Sequence, residues 1–104
     1  MGRHFRLSPI AKAVVGRNES ENERIVTLAH LGDLLFEAQG WGSPVTLLRG
    51  EINGTEIAGA AAITARYSDA PGPVAIRYGV DCESLSEEIW IAPLSESMLR
   101  KLRI

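Results

Sequence analysis

From His4 to Leu7 polar and apolar side chains alternate, as on a half-buried strand. Ser8-Pro9 marks a turn. Ala11 to Val15 reads as a second strand, so an opening hairpin is expected. Gly16-Arg17-Asn18 breaks the pattern, and the period then changes. Ser20 to His30 fits a helix, with Ser20 as N-cap and Glu23 three residues on as its capping-box partner. Its core face would be Ile25, Leu28 and Ala29, and Gly32 stands just past its end. Asp33 to Ala38 and Val45 to Arg49 read as strands around a loop, Gln39 to Pro44. Asn53-Gly54 is a tight-turn signal, and Thr55 would cap a second helix from Glu56 to Tyr67. Its Gly59, Ala60, Ala61 and Ala62 would let it approach a sheet closely. Val74 to Tyr78 and Glu88 to Ile91 read as further strands, with Trp90 in the core. Ser95 to Lys101 reads as a short terminal helix. The order predicts one α+β domain: a mixed, mainly antiparallel sheet with two main helices packed on one face.

The 104 residues suit one domain with a modest core, and 45% hydrophobic against 23% charged residues favours folding over disorder. No apolar run approaches the ~20 residues a membrane span needs, and Met1 to Phe5 lacks the apolar stretch of a signal peptide. The one cysteine, Cys82, excludes an internal disulfide and points to a reducing, cytoplasmic setting. The net charge of −2 gives no global field for nucleic acid, but the charges are unevenly spread. Arg3, His4, Arg6, Lys12 and Arg17 precede the first acid, Glu19, and Arg100, Lys101 and Arg103 stand near the end. Nine of the eleven cations are arginine, whose planar fork suits phosphate and carboxylate.

Catalytic signals are weak. Cys82 lies between Asp81 and Glu83, and such neighbours disfavour a thiolate. His4 and His30 fall in separate elements, and no spacing of His and Cys suggests a metal. Nucleotide-binding glycine motifs are missing from the sequence. The domain is expected to be non-catalytic, without cofactor or metal.

The stretch VVGRNESENER, Val14 to Arg24, poses a choice. Arg17, Asn18 and Asn22 either fasten a strand-to-helix junction or form part of a binding face. Glu19, Glu21 and Glu23 already satisfy the helix dipole and would repel a phosphate on its axis. Arg17 can pair with Glu21. Asn22 shares the face of Ile25 and Ala29, so it is expected to be buried and bonded to backbone, at Gly40 to Pro44. Trp41, between two glycines, could stack on a base or cap the core. Arg66, at the end of the second helix, meets the helix dipole favourably.

Taken in order, VVGRNESENERI, GDLLFEAQGWGSPVTLLRG and AAAITARYSDA resemble the NFACT-R domain, the RNA-binding module of the NFACT proteins of ribosome-associated quality control. The likeness runs from about Ala11 to Tyr78. It rests on Gly16-Arg17-Asn18, Asn22, Asp33-Leu34, Gly42-Ser43-Pro44, and Ala60 to Ser68. NFACT proteins commonly carry His where this chain has Glu37 and Pro44 or Val45. That departure, with the ending APLSESMLRKLRI, looks more like the variant appended to bacterial PP-loop proteins similar to tRNA thiouridylases. The resemblance implies a domain of a longer tRNA-modifying protein, whose adenylating chemistry lies elsewhere, since the chain has no Ser-Gly-Gly-x-Asp-Ser motif. It implies RNA, in particular tRNA, as partner, together with the parent's catalytic domain. The RNA-binding residues expected are Arg3, Arg6, Lys12, Arg17, Asn18, Trp41, Arg49 and Arg66. The alternative is a protein-interaction module that docks a partner enzyme.

Overall fold

The computed structural model describes residues 2–81 and 85–104. The reading of Cys82 lies outside them. Arg3–Ser8 (β1) and Ala11–Val15 (β2) form the expected hairpin, followed by helix Glu19–Leu28 (α1) and strands Leu34–Ala38 (β3) and Thr46–Gly50 (β4). Helix Gly54–Tyr67 (α2), strands Val74–Gly79 (β5) and Glu87–Ile91 (β6), and helix Glu96–Leu102 (α3) complete the chain. The strands form one six-stranded sheet in the order β1-β2-β4-β3-β5-β6. Every pairing between them is antiparallel, so the sheet is not mixed.

The α+β class is as expected, but the helices do not share a face. Neighbouring strand residues point to opposite sides of a sheet. Phe36, Leu48 and Ile76 pack with Ala60, Ala61 and Ala65 of α2. Leu35 and Leu47, their sequence neighbours, pack instead with Ile25 of α1. The two main helices therefore cover opposite faces. Helix α3 joins the α2 side, where Leu99 packs with Phe5, Val15 and Ile63. The cause lies in β3 and β4, whose consecutive apolar pairs, Leu35-Phe36 and Leu47-Leu48, offer an apolar surface on both sides.

Small side chains bring α2 onto the sheet. Ala60 and Ala61 are fully buried, and the Thr64 hydroxyl donates to Ala60 O at 2.7 Å and lies 2.8 Å from Thr46 Oγ1. A threonine pair thus satisfies two polar groups within the core. Gly50 has φ 122°, and a Cβ there would overlap Ile10 O, so only glycine fits this turn against the hairpin.

Several boundaries move for local reasons. Asn53 rather than Thr55 caps α2, its side chain accepting from Thr55 N at 3.0 Å. Asn18 rather than Ser20 caps α1, accepting from Glu21 N at 2.9 Å. Leu28 is 51% exposed rather than core, because α1 ends there and Ile25 is its buried contact. Trp90 is 72% exposed: it shares the α1 side of the sheet with its cross-strand partner Ala75, and α1 sits over β4, not over the edge strand β6.

Substituting Ala61→Leu should destabilise the domain by about 1–3 kcal/mol through overpacking. Urea unfolding measures this, and a change within about 0.5 kcal/mol would mean that α2 has room to spare at this contact.

Candidate functional site

The junction between β2 and α1 is closed from both sides. Gly16 N–H donates to Val45 O at 3.1 Å, and Val45 N–H donates to Asn22 Oδ1 at 3.0 Å. A Cβ at Gly16 would overlap Asn22 Oδ1, so the glycine makes room for the amide. Asn22 is half-buried rather than buried, and its backbone partner lies one residue beyond the loop expected. Asn18 uses its side-chain oxygen as the cap. Arg17 forms a two-pronged pair with Glu21, Nε to Oε1 at 3.1 Å and Nη2 to Oε2 at 2.9 Å. The same carboxylate accepts from Arg17 N–H at 2.9 Å. These bonds to the Arg17 side chain and backbone lower the Glu21 carboxyl from 4.5 to about 2.

This junction forms one wall of a groove of about 350 Å³. Gly42 to Pro44, Asp69, Arg3 and Tyr67 also line it. Ser43 Oγ accepts from Ala38 N–H at 2.9 Å, and Asp69 N–H donates to Gly42 O at 2.8 Å, which fixes the loop. Trp41, beside Gly42, is 50% exposed.

Tyr67 also lines a second hollow, of about 500 Å³, with Arg66, Arg100 and Arg103. Arg3 Cζ lies 4.6 Å from the centre of the Tyr67 ring, and Arg103 Cζ lies 5.7 Å from that of Phe5. Both are cation–π distances. Phe5 and Tyr67 are 6.1 Å apart. The end of α3 is tied to β1, because Ile104 N–H donates to His4 O at 3.0 Å. Arg100 pairs with Glu96 at 3.0 Å, but both side chains are exposed, so the pair is weak and open to exchange. Tyr67 thus joins two concavities into one surface edged by Arg3, Arg66, Arg100 and Arg103.

Of the residues expected from sequence, Arg3, Arg17, Asn18 and Arg66 line this joined surface. Arg6, Lys12 and Arg49 do not. They lie opposite one another on β1, β2 and β4, on the side of the sheet that α1 covers. Arg49 is already engaged there: its guanidinium reaches Asp33 at 2.6 and 3.1 Å and donates to Leu28 O at 3.0 Å. Burial would raise the Asp33 carboxyl, but Arg49 and the His30 N–H outweigh it and hold the carboxyl below its ordinary value. Sequence reading missed Tyr67 as the centre and noted Arg100 and Arg103 only as charge. The Arg66-Tyr67 pair was visible, but its meeting with β1 and α3 is long-range.

Replacing Asn22 with Ala should cost about 1–3 kcal/mol, since it leaves Val45 N–H without its partner; urea unfolding tests this. The Glu21 pair has a definite pH signature. Its folded pKa is lowered, so its stabilisation is complete above 4.5 and is lost as pH falls toward 2. Over that window the wild-type melting temperature should fall more than that of Glu21→Gln. Parallel curves would show that the pair contributes nothing.

No curated protein sequence matches the chain. Among solved structures, the C-terminal part of the fibronectin/fibrinogen-binding protein from Streptococcus suis has the same fold, with a TM-score of 0.83 at 16% identity. The superposition covers 99% of this chain and 49% of that one, so the chain spans about half of its structural relative. The family model described as the NFACT protein RNA binding domain matches residues 2–103. An arginine-edged surface around a half-buried aromatic, on a chain matched to that model along nearly its whole length, places the protein in the NFACT RNA-binding domain family, with RNA binding as its general role.

Proposed function

We propose that the domain binds tRNA through the surface centred on Tyr67, as the RNA-holding part of a longer tRNA-modifying protein of the thiolation type. The observation that carries this reading is the gathering of Arg3, Arg66, Arg100 and Arg103 around two concavities that share Tyr67. Arginine forks bind phosphate oxygens in pairs, and two adjoining hollows suit a folded, curved backbone better than a flat single strand. The net charge is −2, so this patch must act locally, without long-range attraction. Glu96 holds Arg100 in place until a phosphate replaces it.

Arg17 has another part. Bound by both prongs to Glu21, it orders the groove wall and adds little charge to the surface. Asn18, spent as the α1 cap, presents the start of the helix rather than its own amide. Trp41 can stack on a base that leaves the groove. The chemistry of modification would lie in another part of the parent, in a cytoplasmic setting, and this domain would supply affinity and orientation.

Binding of the domain to total tRNA across a salt series tests the proposal. Three phosphate contacts give a slope of log K against log salt of about −2 to −3. Arg66→Ala and Arg103→Ala should each reduce its magnitude by roughly 0.7–0.9, and Arg17→Ala should leave it nearly unchanged. Equal affinity for an unstructured RNA of the same length would refute tRNA preference. No binding at low salt would refute RNA binding by this surface.

A further inference from the structure

The α1 side of the sheet holds a third concavity, which Tyr67 does not line. It has a volume of about 240 Å³, enough for one large side chain, and Val14, Ile25, Leu28 and Leu47 make its apolar lining. His4, Lys12 and Arg49 complete the lining. Lys12 lies directly between Arg6 and Arg49 across three adjacent strands. Like charges placed opposite one another destabilise a sheet. Arg49 is relieved by Asp33. Arg6 donates to Pro9 O at 3.3 Å, a carbonyl and not a carboxylate. Lys12 is half-buried and pairs with no carboxylate among the described residues. The fold thus keeps an uncompensated cation beside an apolar hollow whose Leu28 is 51% exposed.

We propose that this hollow docks a segment of a protein partner in which an apolar side chain is flanked by carboxylates. The apolar side chain fills the space beside Leu28, and a carboxylate reaches Lys12 and Arg6. Charge complementarity selects that occupant. RNA fits less well, because aliphatic side chains make most of the lining beside the His4 ring, and Arg49 is already committed to Asp33 and to the end of α1. The hollow shares no lining residue with the concavities at Tyr67, so one domain can hold RNA and a protein at separate sites. The inference does not depend on the tRNA reading.

The test selects peptides from a phage-displayed library of random dodecapeptides on the folded domain, then measures the best of them by fluorescence anisotropy. Enrichment of a leucine or aromatic residue next to Asp or Glu is expected. Lys12→Glu should weaken the selected peptide at least about tenfold, while Arg66→Glu should not change it. Lys12→Glu places a carboxylate between two arginines, so it should fold and melt no lower than the wild type. Leu28→Asp should weaken the peptide independently of Lys12. Selected peptides without carboxylates, or binding indifferent to Lys12→Glu, would overturn the proposal. Displacement of the peptide by tRNA would reassign the hollow to RNA. Self-association of the domain that Lys12→Glu abolishes would reassign it to a second copy of the chain.

Discussion

The close seating of α2 on the sheet decides where every other feature of this domain lies. A helix that meets strands through Ala60, Ala61 and Ala65 leaves no slack for its axis to shift. Its last turn is therefore held where Tyr67 comes within 6.1 Å of Phe5 on β1. From there the ring lines both hollows. Bulkier side chains along the same stripe would lift the helix and separate Tyr67 from Arg3. The arginine-edged surface is thus a consequence of core packing, although none of its arginines belongs to the core.

Charge is distributed by the sheet rather than by the sequence order. The acid-free N-terminal stretch supplies Arg3 to one face and Arg6 and Lys12 to the other, because strand side chains alternate. Of the described arginines, Arg17, Arg49 and Arg100 hold carboxylate partners, while Arg3 rests on an aromatic ring. Such pairing lets a chain of net charge −2 carry a basic surface. It also separates cations that organise the fold from cations without a carboxylate partner among the described residues. Arg49, which ties Asp33 to the end of α1, is of the first kind; Arg66 is of the second.

The Gly-Arg-Asn turn is structural in its detail. Gly16 admits the Asn22 amide, Asn18 caps the helix, and Arg17 locks onto Glu21. Each polar side chain here spends its oxygen or its guanidinium fork within the junction. Together they build a rigid wall for the groove. A rigid wall lowers the entropic cost of holding a flexible backbone.

The sequence by itself determined the elements, the α+β class and the junction chemistry, because these follow from short-range periods, caps and small-residue stripes. The hairpin, the alanine-rich helix and the pairing of Arg17 with Glu21 all lie within a few residues of their causes. Even here the cap positions moved by two residues, since Asn18 and Asn53 compete well with Ser20 and Thr55 for the same role. Only the tertiary structure decided which side each helix covers. Both sides of β3 and β4 are apolar, so no local pattern separates a sheet covered on one face from one covered on two. The same decision divided the cations into a surface around Tyr67 and a row beside Leu28, and left Trp90 in solvent. It also brought Arg103 to Phe5 across nearly the full length of the chain. Contacts over such separations arise from the packing of whole elements, which no window of sequence contains.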